Sequence, residues 1–470
     1  MSELMVAGKP KLQGRIKISG AKNAVLPQMA ASLLTKEKVT LTNVPDITDV
    51  RDMITTLEAY GVSVQSKDWN EFNGGTLELQ AGSPTSSLPG TNAGAEIRAA
   101  FLVFGPLLAR TRRVEVYKPG GCKIGKKGRP VDYHIQAMKD MGAELIKESA
   151  EVVSMRADSG LKPATITFKN SSVGATETAI MAASLVKGET VIRNAAIEPE
   201  ICDLVKMLAE MGAQITIEKD VLISEKITPF GITEKIAKWN VIRVRGCKSL
   251  EGVTHQVMPD RIEFGTYAIA AAMTNGKVEF EVPEDMKEDM LKAICQPLDA
   301  AGVKIDRYSQ YGLIVISLKN GTITPVDIKT GPYPGFPTDL LPQWVAFMTQ
   351  AQATMTKEYA IIHDKIYDGR FNYVDGLKKM GAVIEKVNER EYGVKAGSKL
   401  NGTRVEATDL RGGAALVLAG LVAQGSTVVR KFEFIQRGYQ DMVGKLNKCG
   451  ANLKILKETR PGFHGGPGHF

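Results

Sequence analysis

One phrase recurs six times along the 470-residue chain and limits its possible folds more than any other feature. Each copy is an amphipathic stretch that ends in glycine and continues with alternating small, polar and aliphatic residues. This pattern is typical of a helix closed by a left-handed glycine and followed by a strand. The copies are LEAYGVSV, MKDMGAEL, LAEMGAQI, LDAAGVKI, LKKMGAVI and LNKCGANL, with glycines at Gly61, Gly142, Gly212, Gly302, Gly381 and Gly450.

The spacing of these glycines indicates a duplication. The successive intervals are 81, 70, 90, 79 and 69 residues, so the first two match the last two and the central interval marks a seam. Most copies follow a more apolar, alanine-rich stretch, and a helix without a polar face is expected to be buried. We predict an α/β fold of two similar domains, each of three repeated units with sheets around buried helices. Chance recurrence of glycine-alanine phrases in an ordinary α/β protein is the alternative.

The domain change is expected between His255 and Asp260, after the third unit and before the apolar helix of the fourth. The extra length before the seam is expected to form a loop. A chain of this length has room for more than one hydrophobic core, which agrees with this division.

Composition narrows the possible partners and cellular location. The chain has 60 Lys+Arg and 52 Asp+Glu, and its net charge of +8 favours anionic partners, either nucleic acid or phosphorylated metabolites. The five cysteines are widely spaced without a CxxC pair, which argues against a disulfide framework and a zinc site. We find neither a secretory signal nor an apolar run of membrane-spanning length, so we expect a cytoplasmic protein.

Ser19-Gly20-Ala21-Lys22-Asn23 directly precedes an apolar helix. A helix start offers unpaired N–H groups and a positive dipole, and the charge of Lys22 adds to both, so an anion site is expected. The alternative is a solvated surface lysine.

The segment from Pro119 to Pro130 is rich in glycine and places four basic residues within seven positions of Cys122. Positive surroundings lower the pKa of a thiol and make it reactive, and a glycine-rich basic loop could close over an anionic substrate. The alternative is an exposed loop that binds nucleic-acid phosphates. That reading expects interleaved aromatic residues, and the loop has none.

Two further places carry candidate chemistry near the C-terminal end. Three prolines precede Asp339 in GPYPGFPTD, and a stiff loop could hold this carboxylate as a general base, although a helix cap is the alternative. Asp409, Arg411 and Arg437 accompany the last two repeat units. Spacing alone would class these arginines as surface ion-pair partners.

Taken in order, these phrases resemble the UDP-N-acetylglucosamine enolpyruvyltransferase (1-carboxyvinyltransferase) family of the EPSP synthase superfamily. The resemblance runs from about Lys9 to Leu456. The shikimate-pathway sister family would show GSKS and GNAGT, where this chain reads GAKN and NAGAEIR. The motifs are ISGAKNAVLP, EIRAAF, PGGCKIG with RPVDYHI, SSVGAT, NAAIEPEICD, MPDRIEFGT, GFPTDL, EATDLRGGAALVLAG and RGYQDM.

The resemblance implies transfer of the enolpyruvyl group of phosphoenolpyruvate to the 3-hydroxyl of UDP-N-acetylglucosamine, with release of phosphate, as the first committed step of peptidoglycan synthesis. It implies no cofactor, no metal, and neither a nucleic-acid nor a membrane partner. It also implies two inside-out, barrel-like α/β domains, an N-terminal domain at 22–257 and a C-terminal domain formed by 1–21 with 258–456. We expect the tail at 457–470 to be disordered.

The resemblance also assigns roles to residues. Lys22, Arg129 and Arg437 would bind the phosphate and carboxylate of phosphoenolpyruvate, and Asn23 would help to hold the amino sugar. Cys122 would protonate the enol ether carbon, assist product release and be alkylated by fosfomycin. Asp339 would accept the proton of the sugar hydroxyl. The uridine diphosphate would be held by Arg98, Arg129, Pro130, Val131, Asp132, Tyr133, Ser172, Val173 and Gly174, and the cationic site would be steadied by Asp409 and Arg411.

Two departures from the family pattern affect these assignments. The stretch Lys126-Lys127-Gly128 lengthens the loop after Cys122 by two residues, and Asn170 stands where many relatives have a lysine. Two other functions stay open, namely an enolpyruvyl transferase with a different acceptor and a basic nucleic-acid-binding protein.

Overall fold

The computed structural model describes residues 2–70, 74–88, 98–119, 131–228, 231–282, 286 and 288–457. All six repeat glycines have positive φ, between 87° and 110°, and each lies between a helix and a strand. The predicted repeat is therefore confirmed. The expected disorder of the tail concerns residues that lie almost wholly outside the described part of the chain.

Helix α2 shows how each repeat closes. Gly61 N donates to Glu58 O, and Val62 N donates back to Leu57 O, which satisfies carbonyls at the helix end. The same pair of bonds occurs at Gly142, Gly212, Gly381 and Gly450. A left-handed backbone is unfavourable for side chains with a Cβ, which explains the glycine at this position.

The described chain contains 13 α-helices, and they fall into two sets. The amphipathic set precedes the repeat glycines, and most residues of the other set are buried, as predicted. The amphipathic helices are α2 (Thr48–Ala59), α4 (Asp132–Asp140), α6 (Pro199–Glu210), α8 (Glu288–Ala300), α10 (Val374–Lys379) and α13 (Met442–Lys448). The buried helices are α1 (Lys22–Ala31), α3 (Phe104–Thr111), α5 (Val173–Ala183), α7 (Arg261–Met273), α9 (Leu341–Met348) and α11 (Leu410–Val422), and α12 (Glu433–Gln436) is a short connection.

Six sheets surround the buried helices, and five of them share one topology in which a parallel edge strand is followed by two antiparallel pairings. Three sheets belong to residues 38–256. They are formed, in spatial order, by β13 (Val253–Gln256), β3 (Lys38–Val44), β5 (Gly74–Gln80) and β4 (Ser63–Asn70); by β6 (Arg113–Tyr117), β8 (Val152–Arg156) and β7 (Glu144–Glu148); and by β11 (Gln214–Thr228), β12 (Gly231–Gly246), β10 (Gly188–Arg193) and β9 (Thr165–Thr167).

The other three sheets combine the N-terminal strands with the second half of the chain. They are formed by β15 (Val303–Tyr308), β16 (Leu313–Leu318), β14 (Lys277–Glu281) and β2 (Gln13–Lys17); by β17 (Ile328–Lys329), β18 (Tyr359–His363), β20 (Glu391–Lys395) and β19 (Ile384–Asn388); and by β21 (Arg404–Glu406), β22 (Ser426–Arg430), β1 (Glu3–Ala7) and β23 (Asn452–Lys457).

The prediction of a loop before the seam is wrong. Strands β11 and β12 pair from Gln214 with Arg245 to Thr228 with Gly231, so most of the additional length is an antiparallel hairpin. Their cross-strand backbone bonds satisfy the polar groups that a loop would expose.

The buried side chains form two hydrophobic cores. One core uses residues between 21 and 258, and the other uses residues 4–18 together with residues between 262 and 453. Helices α7, α9 and α11 pack against one another in the second core, and α3 packs on α5 in the first. The predicted class of sheets around buried helices is confirmed, and the exact domain bounds stay a prediction.

The chain crosses between the two cores through two adjacent segments. Ala21 N donates to Met258 O at 2.7 Å, and Asp260 N donates to Ser19 O at 2.8 Å. A Cβ on Gly20 would lie 1.9 Å from Asn43 O, so this close approach requires glycine. The crossings place the starts of α1 and α7 side by side.

No helix in the described ranges has both the length and the apolar character needed to cross a membrane.

Candidate active site

A cleft of about 620 Å³ lies between the two halves of the molecule. Its walls include the starts of α1, α4, α5, α7 and α11 and the proline-rich loop before α9. The structure brings many of the predicted site residues into this one cleft. They are Lys22, Asn23, Val131, Asp132, Tyr133, Ser172, Val173, Gly174, Asp339, Asp409, Arg411 and Arg437.

The other predicted site residues cannot be placed. Cys122, Arg129 and Pro130 lie outside the described residues. Arg98 begins a 3₁₀ helix, Arg98–Val103, and its side chain lies outside the description. The predictions for these four residues stay untested.

A carboxylate joins two cations at one end of the cleft. Lys22 Nζ lies 2.5 Å from Asp49 Oδ2, and Arg437 Nε donates to Asp49 Oδ1 at 2.8 Å. Only 13% of the Lys22 side chain is exposed, so the alternative of a solvated surface lysine is wrong. Asp49 lies on α2, whereas Arg437 follows α12 in the other half of the chain. This triad therefore connects the two sides of the cleft.

Burial and neighbouring charges shift the pKa values of Lys22 and Asp49 in this triad. Desolvation lowers the pKa of Lys22, and the charges of Arg437 and Arg411 lower it further, against the opposing effect of Asp49. Burial by itself would raise the pKa of Asp49, but Lys22 and Arg437 outweigh it and hold that pKa below its ordinary value. Excess positive charge therefore remains at this end, and an incoming anion would stabilise protonated Lys22.

A second carboxylate, Asp339, is held by two arginines. Arg370 Nη2 donates to Asp339 Oδ1 at 2.9 Å, and Arg411 Nη2 donates to Oδ2 at 3.2 Å. Both arginine residues are buried, with relative exposures of 4% for Arg370 and 2% for Arg411. Burial alone would lower the pKa of Arg370, but nearby negative charge, above all that of Asp339, raises it. Asp339 therefore favours the charged form of both arginines, and the two arginines fix the direction of its carboxylate.

The alternative of Asp339 as a helix cap is wrong. Asp339 lies inside the 3₁₀ helix Thr338–Leu340, and α9 has no side-chain cap. The loop is anchored through Thr338, whose Oγ1 donates to the buried carboxylate of Asp364 at 3.0 Å and accepts from Arg370 Nη1 at 2.6 Å. Side-chain hydrogen bonds of Thr338 therefore also anchor the segment that the prolines are expected to stiffen.

Asp409 supports the cationic site by capping a helix. Its Oδ1 accepts from Arg411 N at 2.9 Å and from Gly412 N at 3.1 Å at the start of α11. A capping carboxylate satisfies free N–H groups and interacts favourably with the helix dipole. Asp409 thus fixes the backbone from which Arg411 reaches Asp339.

Two more helix starts line the cleft. Val131, Asp132 and Tyr133 lie at the start of α4, and Ser172 is the N-cap residue of α5. A Cβ on Gly174 would lie 3.1 Å from His134 Cε1, so little space separates these two helices. Asn170 also lines the cleft and donates to Tyr133 Oη at 3.2 Å. Free N–H groups at such starts can bind a phosphate or diphosphate.

The sequence interpretation missed several charged residues of the cleft. Asp49 lies in an ordinary amphipathic helix, and Arg370 lies in a turn without a distinctive pattern, so neither offered a signal. Glu198, Glu200 and Arg261 stand inside two of the quoted motifs, NAAIEPEICD and MPDRIEFGT, although no role was assigned to them.

Within the described ranges, we find no group of three or more His, Cys, Asp or Glu residues that could hold a metal ion. The charges that face the cleft are instead ammonium, guanidinium and carboxylate groups.

Comparison with known proteins identifies the family. Residues 6–446 match the family model described as EPSP synthase (3-phosphoshikimate 1-carboxyvinyltransferase). The chain is 41% identical over 462 residues to the UDP-N-acetylglucosamine 1-carboxyvinyltransferase of Paracoccus denitrificans (strain Pd 1222), which covers 98% of this chain and 100% of the relative. It is 39% identical to the protein of the same name from Wolbachia pipientis wMel, with coverage of 97% and 100%.

Solved structures support the fold. The enolpyruvyl transferase NikO from Streptomyces tendae aligns with a TM-score of 0.81 at 22% identity, covering 97% of this chain and 99% of that one. EPSP synthase from Acinetobacter baumannii aligns with a TM-score of 0.67 at 17% identity, covering 97% and 100%. The family model and the sequence identity to the two relatives show that the chain belongs to the UDP-N-acetylglucosamine 1-carboxyvinyltransferases, a family of enolpyruvyl transferases.

Proposed function

We propose that the cleft transfers the enolpyruvyl group of phosphoenolpyruvate to the 3-hydroxyl of UDP-N-acetylglucosamine and releases phosphate. The observation that carries this proposal is the meeting of Lys22, Arg437 and Arg411 with the carboxylate of Asp339 in one cleft. Cations for an anionic donor and a carboxylate for an acceptor hydroxyl are the two requirements of the reaction. The membership of the chain in this family supports the same choice of acceptor.

The donor is expected at the triad of Lys22, Asp49 and Arg437. A phosphate or carboxylate placed there would take over part of the role of Asp49 as counterion. Because Lys22 loses stabilisation through burial, a second negative charge would favour its ammonium form. Arg129 would complete the binding of phosphoenolpyruvate, as the resemblance implies.

Asp339 is proposed as the base for the acceptor hydroxyl. The sugar oxygen forms a bond to C2 of phosphoenolpyruvate, its proton passes to the carboxylate, and the C2=C3 electron pair takes a proton at C3. The tetrahedral intermediate then loses phosphate from C2 and a proton from C3, which restores the double bond. Arg370 and Arg411 hold Asp339 in a fixed position for the first step.

The starts of α4 and α5 are proposed to hold the nucleotide part. Val131, Asp132, Tyr133 and the segment from Ser172 to Gly174 line the cleft there. Free N–H groups at helix starts can bind the diphosphate, and the arginines at 98 and 129 would add charge. Asn23, at the start of α1, would contact the amino sugar.

We further propose that Cys122 supplies the proton at C3 and is the residue that fosfomycin alkylates. Its thiol form can donate the proton, and basic surroundings favour the thiolate, which is the form that opens an epoxide. The variant Cys122→Asp would then abolish covalent modification by fosfomycin, as checked by intact mass. The cellular setting proposed for the enzyme is the cytoplasm, where it would begin peptidoglycan synthesis and so affect cell shape and division.

The reaction itself is tested by phosphate release from purified enzyme with each substrate alone and with both together. Release only with both supports transfer. Replacing UDP-N-acetylglucosamine by shikimate 3-phosphate tests the acceptor, since activity with that acceptor alone would reject the proposal.

A further inference from the structure

Three polar side chains form a closed hydrogen-bonded network inside the core that contains α7, α9 and α11. They belong to Thr266 on α7, Gln343 on α9 and Tyr439, which follows α12. The exposed fractions of these residues are 0%, 0% and 3%, and none of the three lines the cleft in the described part of the chain. A fully bonded polar network in a core fixes the relative positions of the segments that contribute to it.

The direction of each hydrogen bond in this polar network can be assigned. Thr266 Oγ1 donates its single hydrogen to Ile262 O at 2.8 Å, so Tyr439 Oη is the donor in its 2.9 Å bond to Thr266 Oγ1. Gln343 Nε2 donates to Thr266 Oγ1 at 3.0 Å and to Tyr439 Oη at 2.9 Å. Burial raises the pKa of Tyr439, which keeps its hydroxyl protonated as this assignment requires. Movement of Tyr439 would therefore break two buried hydrogen bonds.

The polar network reaches Asp339 by two routes. Gln343 lies in the first turn of α9, and the 3₁₀ helix that contains Asp339 continues directly into α9. On the other side, the guanidinium carbon of Arg411 lies 5.2 Å from the centroid of the Tyr439 ring, a favourable cation–π distance. Arg411 Nη2 in turn donates to Asp339 Oδ2 at 3.2 Å. The network therefore joins the backbone of the proposed base to the side chain that orients its carboxylate.

We propose that Tyr439 is a positioning residue of the reaction, which holds the guanidinium group of Arg411 so that the carboxylate of Asp339 stays directed at the acceptor hydroxyl. This inference rests on the proposed function. The hydroxyl of Tyr439 fixes the aromatic ring, and the ring supports Arg411, so both parts of the side chain contribute. A base acts only within hydrogen-bond reach of its proton, so a small displacement of Asp339 lowers the rate of the chemical step more than substrate binding.

Steady-state kinetics of two variants test this role. Tyr439→Phe keeps the ring and removes the hydroxyl, whereas Tyr439→Leu removes both. We expect kcat to fall about 10-fold in Tyr439→Phe and about 100-fold in Tyr439→Leu, with KM for each substrate changed less than about 3-fold. A higher KM for phosphoenolpyruvate at unchanged kcat would overturn the proposal, because it would place the effect at Arg437, two residues earlier in the chain.

Combination with Asp339→Asn tests whether Tyr439 acts through the base. When the base is already absent, adding Tyr439→Phe should lower the remaining kcat less than about 2-fold, because nothing is left to position. Residues that act independently would instead give effects that multiply, with a further fall of about 10-fold in the double variant. Such multiplication would overturn the proposal.

Tyr60→Phe is the matched control for the loss of a buried hydroxyl. Tyr60 is 2% exposed, lies in the other core, and donates from its Oη to Glu115 O at 3.0 Å. Urea unfolding should show similar destabilisation of Tyr60→Phe and Tyr439→Phe, while only Tyr439→Phe lowers kcat. An equal fall of kcat in both variants would overturn the proposal.

A variant of a second network residue guards against a folding failure. If Tyr439→Phe does not fold, Gln343→Leu removes the donor to Tyr439 Oη and should also lower kcat with little change in KM. An unchanged kcat in Gln343→Leu would then overturn the proposal. Wild-type enzyme that releases no phosphate with both substrates present would instead reject the proposed function.

Discussion

Arg437 donates its Nε hydrogen to Asp49 Oδ1 at 2.8 Å, although the two residues are 388 positions apart in the sequence. Asp49 also holds Lys22, so one buried carboxylate neutralises two cations from opposite sides of the cleft. The cationic end of the site is therefore formed by the association of the two halves. It also depends on a residue that the sequence interpretation did not identify.

Replacement of Asp49 by asparagine is expected to destabilise the substrate-free protein. Two mostly buried cations would lose the counterion that they share, and removing one partner of a buried pair costs about 3 kcal/mol. Urea unfolding measures the change, with Asp158→Asn as the exposed control because Asp158 pairs with Arg113 and Arg156 at the surface. An Asp49→Asn variant as stable as the control would contradict the role of Asp49.

The destabilisation caused by Asp49→Asn should become smaller at acid pH. The pKa of Asp49 is lowered in the folded state, so its contribution to stability is complete above the unfolded pKa of about 3.9 and is lost as pH falls through the folded pKa. The difference in unfolding free energy between wild type and Asp49→Asn should therefore shrink below about pH 4. A difference that grows in acid would be inconsistent with this linkage.

Lys22 should limit activity at alkaline pH. Burial lowers its pKa below the ordinary value of about 10.4, so the ammonium form that binds the donor should be lost at lower pH than for an exposed lysine. The pH profile of kcat/KM for phosphoenolpyruvate reports this titration in the free enzyme. In Lys22→Arg, whose side chain stays charged, the remaining activity should lack that alkaline decline. An unchanged profile would assign the decline to another group.

Asp409 is expected to act through the backbone of α11. Asparagine is as good an N-cap as aspartate, so Asp409→Asn should keep nearly wild-type stability, whereas Asp409→Ala should lose about 1 kcal/mol. Thermal or urea unfolding of the two variants distinguishes them. Equal destabilisation by both substitutions would show that the charge of Asp409, and not its capping bond, is what the fold requires.

Asp339→Asn is expected to lower kcat by about 10² to 10⁴, the usual contribution of a general base. The nucleotide should still bind, since the residues proposed to hold it lie at the starts of α4 and α5 and not on the loop of Asp339. Single-turnover formation of product separates the chemical step from product release, and titration with UDP-N-acetylglucosamine checks binding. Loss of nucleotide binding with an unchanged chemical step would place Asp339 in recognition and not in proton transfer.

The repeated architecture could be predicted because its signals are local. A glycine with positive φ follows each amphipathic helix within two residues, and the alternating strand begins directly afterwards. The hairpin of β11 and β12 was missed because its pairing depends on cross-strand backbone bonds, which are a property of the folded chain. The local sequence pattern therefore identified the repeat units but not the long hairpin that one of them contains.

The site could be predicted only in part, because charge pairing is a property of the folded chain. Lys22 and Asp339 lie in recognisable segments, whereas their partners Asp49 and Arg370 lie in segments without a distinctive pattern. Whether a lysine at a helix start is solvated or buried depends on residues that lie far away in sequence. For the same reason, the polar network around Tyr439 becomes visible only in three dimensions.

The most direct test of the account is a coupled assay of phosphate release with phosphoenolpyruvate and several candidate acceptors. We expect release with UDP-N-acetylglucosamine, in equal amount to the enolpyruvyl nucleotide detected by mass spectrometry, and no release with either substrate alone. Release with shikimate 3-phosphate but not with UDP-N-acetylglucosamine would contradict it.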